Sequence, residues 1–499
     1  MTPSSSPEFD NSYAELPERF YSKQAPTSVA NPDLIRINTK LAKQLNISPE
    51  WLTSPEGIAT MAGNHVPAGA QSLAAVYAGH QFGGWNPQLG DGRAVLLGEL
   101  MARDGIRYDW QLKGSGRTPY SRGGDGKSPL GPVIREYILC EAMAALNIPT
   151  TRALGAVTTG EMVFRDQGLP GAVFSRVAQS HIRVGTMQFF AARRDTEALQ
   201  ILSDYLIARH FPAAAQTSKP VLSMLNAIID RQAKLIAQWQ SVGFIHGVMN
   251  TDNMLLCGET IDYGPCAFME SFDPATVFSS IDHNGRYAYG NQPAIAHWNL
   301  MQLAQALLPI LDPSPEADEN TAVAIAQAAI DGFQNLFLVA YQDIIKDKLG
   351  VSSFTADDDS LYQDLLILMK KERADFTLCF RRLSELANEG ACINTSIREI
   401  FEFSDAFTPW LQQWRQRLSD DPQTAEQRQA QMFKANPVFI PRNHLVQEAI
   451  TAAERNGDFS FFNQLVEVLA KPHDLDPQKL RYAMPAKSNE QVLQTFCGT

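Results

Sequence analysis

The chain has 499 residues, 44% of them apolar and 19% charged, an ordinary globular composition long enough for two or three hydrophobic cores and the clefts between them. Its 42 lysines and arginines stand against 54 acidic residues, a formal charge of -12, which argues against nucleic-acid binding by bulk charge and requires any phosphate site to be built locally.

The N-terminal "MTPSSSPEFDNSY" carries acidic residues and no apolar core, so it has the form of neither a secretory signal nor a transit peptide. From Tyr77 to Gly114, glycine-rich turns alternate with short apolar runs such as Ala94 to Leu97 and "WQLK", the pattern of strands in a small sheet. "SGRTPYSRGGDGKSPLGP", Ser115 to Pro132, reads as a long loop, and long ordered loops tend to carry function. A helix is expected after it, with Val133, Ile134, Tyr137, Ile138, Ala142 and Leu146 on one stripe and Glu136 on the polar side. Further strands are expected over Thr151 to Val157, Glu161 to Phe164 and Ala172 to Val177; beyond about residue 190 the pattern is mainly helical.

"WNLMQLAQALLPIL", Trp298 to Leu311, is interrupted by Asn and Gln and suits a core helix. No apolar run reaches the roughly 18 residues of a membrane span, so no membrane association is expected. The Gln-rich stretch from Asp420 to Asn436 is expected to link to a final helical segment. Six cysteines (Cys140, Cys257, Cys266, Cys379, Cys392, Cys497) form no CxxC and no metal-ligand spacing, which points to a reduced, cytoplasmic compartment. With no long heptad repeat and no evident apolar strip, a monomer is expected.

This order gives an α+β chain with the two-lobe plan of protein kinases. A mostly β N-lobe with one key helix (1–190) precedes a helical C-lobe (191–430) and a C-terminal helical extension (431–499) ending in a cysteine-containing tail. The motifs follow the same order. Lys113 ends a strand-like run and Glu136 sits one turn into the helix, the pairing by which kinases aim an ammonium at nucleotide phosphates. In "HGVMNTDNMLLCGETIDYG", His246 opens a catalytic-loop-like segment, Asn253 holds the metal-binding Asn position, and Asp262 leads a DxG. The place of the base, however, is held by Val248.

Asn253 and Asp262 flank "MLLCGETI", read as a tight hairpin through Gly258 and Glu259 that would let both share a Mg²⁺. Asp252 is the nearest carboxylate to the missing base, either a base from a shifted place or a group holding the loop, while His246 is assigned to structure. "LGDGRA" is either a glycine turn in which Gly90 and Gly92 let the backbone approach a phosphate and Arg93 adds charge, or an ordinary hairpin turn. Asp125 and Gly126 form a turn within the long loop. Arg176 and Arg183, at and after a strand, are either a solvated edge or an anion site.

The strings "YAGHQFGGWNPQLGDGRA", "QLKGSGRTPYSRGGDGKSPLGPVIREY", "HGVMNTDNM", "IDYGPCAFME" and the terminal "CGT" together resemble the selenoprotein O family over about Phe20 to Thr499. The resemblance implies a kinase-like fold that binds ATP flipped, with Mg²⁺ or Mn²⁺, and transfers AMP to Ser, Thr or Tyr hydroxyls of protein substrates. A base for γ-phosphoryl transfer would then have no task, which accounts for Val248. Carried over by motif, Lys113 and Glu136 would hold phosphates and Gly90, Gly92 and Arg93 would contact the nucleotide. Asp125, Gly126, Arg176 and Arg183 would line the phosphate path, Asn253 and Asp262 would bind the metal, and Asp252 would take the acceptor proton. Some relatives are uridylyltransferases, which leaves UTP open as a second donor.

Cys497 stands where certain members carry selenocysteine. The partner cysteine that the family's redox gating needs is missing from residues 270–287, and Cys266 is the nearest candidate. Two other readings of the residues remain: a kinase using Asp252 as a displaced base, and a nucleotide-binding pseudokinase scaffold.

Overall fold

The computed structural model describes residues 6–312, 318–388, 390 and 396–496; Cys392 and Cys497 lie outside them. The first part of the chain supplies strands β1 (Tyr21–Lys23), β2 (Asp33–Ile37), β3 (Leu73–Ala75), β4 (Gly79–Gln81), β5 (Gly84–Asn86), β6 (Ala94–Met101), β7 (Arg107–Lys113), β8 (Ser128–Pro129), β9 (Arg152–Phe164) and β10 (Gly168–Ala178). The main sheet is antiparallel, in the order β1-β3-β6-β7-β10-β9-β2, with β8 paired to β10; β4 and β5 form a separate hairpin.

Period-two alternation in β7, "RYDWQLK", assigns the two faces of this sheet. Tyr108, Trp110 and Leu112 enter a core with the short helices α1 (Thr39–Gln44), α2 (Pro49–Leu52) and α3 (Pro55–Ala62). Asp109, Gln111 and Lys113 therefore face the other way. In register, Gln111 lies opposite Arg176 of β10, and Lys113 opposite both Ala94 and Phe174.

Against that second face lies α4 (Leu130–Ala145). It begins earlier than the sequence suggests, because Pro132 falls in the first turn, where its missing N–H costs nothing. The expected polar side of α4 is not open to water. Arg135 and Glu136 are both buried, Arg135 under the C-terminal helices α14 (Asn443–Asn456) and α15 (Ser460–Leu469) that cover one side of α4, Glu136 on the sheet side against Lys113 and Arg176. Arg135 donates to Asn443 Oδ1 at 2.8 Å, and Tyr137 meets Phe462 edge-on at 5.3 Å.

The helical part consists of α5 (Val184–Ala192), α6 (Thr196–His210), α7 (Pro220–Ser241), α8 (Gln292–Leu307), α9 (Glu319–Leu349), α10 (Ala356–Glu372), α11 (Phe376–Leu386), α12 (Thr408–Ser419) and α13 (Ala425–Ala435). α10 ends at Arg373, whose φ is 52°, and the chain restarts as α11 with Asp375 capping Leu378 N–H at 2.8 Å. The Gln-rich stretch holds α13, which packs on α9 and α11. By length and composition α9 could cross a membrane; here it packs along α7 and α8.

Arg442, at the start of α14, is fully buried and joins three segments. It donates to Asp375 Oδ2 at 2.8 Å and to Glu270 Oε1 at 3.1 Å. Arg442→Met should destabilise the fold by about 3–5 kcal/mol, because it strands the buried Asp375 carboxylate without its cation and takes one from Glu270. Urea unfolding of the variant beside the parent checks this.

Candidate functional site

Between the second face of the sheet and the loops after α7 lies a cleft of about 870 Å³. Eight cationic side chains and four carboxylates line it, so a chain of net charge -12 concentrates positive potential here. Every residue expected from sequence to meet nucleotide, metal or acceptor lines this cleft except Glu136, which lies behind it on Lys113.

At the back is a buried four-residue knot. Lys113 Nζ donates to Glu136 Oε2 at 2.6 Å and to Asp262 Oδ1 at 2.5 Å. Arg176 Nη1 donates to Glu136 Oε1 at 3.1 Å and Asp262 Oδ1 at 2.9 Å, and its Nη2 to Gln111 Oε1 at 2.6 Å. Burial alone would raise the Asp262 pKa, but Lys113, then Arg176 and Arg183, outweigh it and hold the carboxyl well below the usual range. Asp262 is thus an anion at any working pH. Its backbone lies in the left-handed region, φ 61°, which an aspartate tolerates better than most residues.

Arg183 caps the gap between β10 and α5. It reaches Asp91 Oδ1 at 3.3 Å and stacks 4.1 Å over the Tyr77 ring. Arg93 is half-buried; its carbonyl accepts from Gly114 N–H at 2.7 Å, while its guanidinium has no hydrogen-bond or ion-pair partner among the described residues. It is a cation ready for a ligand anion.

The segment Met254–Ile261 is not the expected hairpin. Gly258 makes a turn at φ 86°, but the flanks pair outward. Val184 N–H donates to Met254 O and Leu256 N–H to Ile182 O, at 3.0 and 2.9 Å, while Thr151 N–H donates to Thr260 O at 2.9 Å. This pairing fixes the Asn253 segment against the Arg183 segment.

His246 performs the structural task assigned to it. Its Nδ1 accepts from Val248 N–H at 3.3 Å, so Nε2–H donates to Ile261 O at 2.8 Å, tying the two site loops together. Stacked on Trp239, it is kept neutral by burial. Val248 itself is buried and lines the cleft.

Asp252 is buried. Its Oδ2 accepts from Gln81 Nε2 at 2.8 Å, and its Oδ1 has no partner. Burial raises its pKa to about 6, with Gln81 and Arg183 pulling the other way. A carboxylate in the cleft lining that titrates near 6 suits proton acceptance near neutrality.

Gly90 and Gly92 admit protein rather than a ligand on their Cβ side. A Cβ on Gly90 would lie 2.4 Å from Tyr120 Cγ, and one on Gly92 would lie 2.7 Å from Tyr120 O. Gly126, at φ 70°, approaches Gly116 O so closely that a Cβ would fall 2.0 Å from it. Asp125 forms a two-pronged pair with Arg165 at 2.9 and 3.0 Å, which lowers its pKa. These four residues shape the rim, and Asp125 already has its cation.

The donor chemistry fits a hard divalent ion. Asn253 Nδ2 donates to Val248 O at 2.9 Å, which turns its Oδ1 away as a ligand oxygen. Lys113 and Arg176 both engage only Oδ1 of Asp262, whose side chain keeps 24% of its surface open. Two protein oxygens are few, but Mg²⁺ commonly takes one or two and completes its shell with phosphates and water. No group of three or more His, Cys, Asp or Glu suits a metal among the described residues.

Sequence reasoning passed over Asp91, Gln111, Tyr77, Gln81 and Asn250. Two left a signal: Gln111 shares the face of Lys113 by alternation, and Asp91 lies between the two glycines of "GDG".

A profile of the family described as "Protein adenylyltransferase SelO" matches residues 3–470. A relative from Rhodopseudomonas palustris (strain BisB5), "Protein nucleotidyltransferase YdiU", is 57% identical over 98% of this chain and 99% of its own. Proteins of the same description from Rhizobium leguminosarum bv. trifolii (strain WSM2304) and Bradyrhizobium sp. (strain ORS 278) are 56% and 55% identical, each over 98% of this chain and over 97% and 99% of their own.

Proposed function

The chain belongs to the SelO family of protein adenylyltransferases, and from that membership and the cleft's charge pattern we propose that it transfers AMP from ATP to Ser, Thr or Tyr hydroxyls of proteins. The observation that carries this reading is the contrast between two neighbours. Val248 puts a hydrocarbon where a γ-phosphoryl base would act, while Asp252 brings a carboxylate to the lining of the same cleft. A sheet carrying Lys113, a helix carrying Glu136 and helical-part loops carrying Asn253 and Asp262 support a kinase-like, two-lobe arrangement. Buried Cys140, Cys257, Cys266 and Cys379 accord with a cytoplasmic enzyme.

In this reading Asp252 takes the acceptor's O–H proton as the oxygen bonds to the α-phosphorus. The bond from that phosphorus to the bridging oxygen breaks, and pyrophosphate leaves. Lys113, Arg176 and Arg183 meet the charge that accumulates on phosphate and leaving group, with no rearrangement of the knot. Asn253 and Asp262 would hold a Mg²⁺ or Mn²⁺ ion, which would supply further charge neutralisation when bound. UTP would fit the same phosphate path.

Mass analysis of acceptor protein incubated with the enzyme and ATP tests this. An adenylyl increment is expected, and a phosphoryl increment would instead favour a kinase with Asp252 as its base. A related expectation concerns Val248→Asp. If the α-phosphorus faces the acceptor, restoring a carboxylate there yields no γ-phosphoryl transfer. It should also cost about 1–3 kcal/mol, because the new group is buried. A γ-label assay and thermal unfolding read the two effects separately.

A further inference from the structure

Ile281, 57% exposed, borders three hollows: the cleft, a groove beside Thr495 and Phe496, and a groove of about 500 Å³ between the β4–β5 turn and residues 281–295. The last of these also shares Phe82 with the cleft. Phe82 follows Gln81, the donor to Asp252, and its own N–H donates to Asn250 Oδ1 and Tyr287 OH, both at 3.1 Å. The groove therefore opens one residue away from the proposed base.

Its lining carries one cation and one carboxylate, held in different ways. Arg286 lines it, has no carboxylate partner among the described residues, and lies 4.9 Å over the Trp298 ring with its Nε buried and unpartnered. The one carboxylate in the lining, Asp282, is occupied by the backbone N–H groups of Arg286 and Tyr287 at 2.9 and 2.7 Å. His283 is exposed and adds no negative charge. Trp298 meets His80 at 5.2 Å, and His80 meets Trp85, 40% exposed, at 4.9 Å. Arginine and tryptophan together at a rim are the composition of protein-binding hot spots.

We propose that this groove receives the stretch of acceptor protein adjoining the modified hydroxyl, and that Arg286 reads an acidic side chain there. The inference rests on the transferase reading above and deepens it. A cation on an aromatic shelf, in no ion pair among the described residues and next to the transfer site, selects a partner carboxylate over an amide or an ammonium by charge complementarity.

The test uses the full chain, Mg²⁺, α-labelled ATP and serine peptides identical except for Glu, Gln or Lys at each position flanking the serine. Glu at one or more flanking positions should raise kcat/KM about tenfold over Gln. Arg286→Met should bring the Glu/Gln ratio to one, Arg286→Lys should keep it above one, and Arg286→Glu should favour Lys. Equal rates for Glu and Gln in the parent, or a ratio that survives Arg286→Met, overturn the subsite. An unchanged ratio with a raised KM for ATP would assign Arg286 to the nucleotide and likewise overturn it. Labelling of the enzyme itself but of no peptide would overturn the groove while leaving nucleotidyl transfer standing. No label on peptide or enzyme removes both.

Discussion

Asp262→Ala should lower nucleotidyl transfer by about a thousandfold or more. The residue does two things at once. Its Oδ1 draws Lys113 and Arg176 to a single point, at 2.5 and 2.9 Å, and its open side offers oxygen to a divalent ion. Alanine removes the ligand and leaves two buried cations sharing Glu136 alone, so they recoil from the geometry that meets a phosphate. Asp262→Asn keeps the shape without the charge and should lose nearly as much. Initial rates with α-labelled ATP measure the effect, and a near-parental rate for either variant would remove Asp262 from the chemistry.

Asp252→Asn should cost about 10²–10⁴ in kcat through loss of the proton acceptor. The parent carries a pH signature. With a pKa of about 6, Asp252 is ionised only above that value, so kcat/KM should rise with pH through about 6 and then level off. In the Asn variant the residual activity should lack this limb.

Stability should move the opposite way. Because the folded-state pKa lies above the unfolded value of about 4, the native state holds the extra proton between the two. Stability is therefore lost as pH rises from about 4 to about 6. Neutralising Asp252 should return on the order of 2–3 kcal/mol above pH 6, so an inactive variant that melts later is expected. A variant that melts earlier at pH 7 would contradict the burial argument.

Much of this was legible in the chain itself. Lys113, Glu136, Asn253 and Asp262 follow one another at intervals that place each on an element, and the strand around Ala94 declares itself as a short apolar run between glycine turns, the strand around Trp110 by alternation. What could not be read was long-range. Arg135, beside Glu136 on α4, looks solvent-facing because Asn443, which pairs with it, lies 308 residues later. Met254–Ile261 has the length of a hairpin, yet its partners are Ile182–Val184 and Thr151, remote in sequence and silent in its own pattern. Gly90 and Gly92 look like a phosphate cradle, but the space they leave is taken by Tyr120. Asp91, Gln81 and Asn250 act through side-chain bonds to distant residues, and no local periodicity marks such bonds.

The central claim, that the α- and not the γ-phosphorus is attacked, is tested most directly by supplying the enzyme with Mg²⁺ and ATP labelled at one or the other position, with Asp262→Ala beside each. The account predicts protein-bound label from the α-position alone, absent in the variant. Protein-bound label from the γ-position alone would contradict it and make Asp252 the base of a kinase.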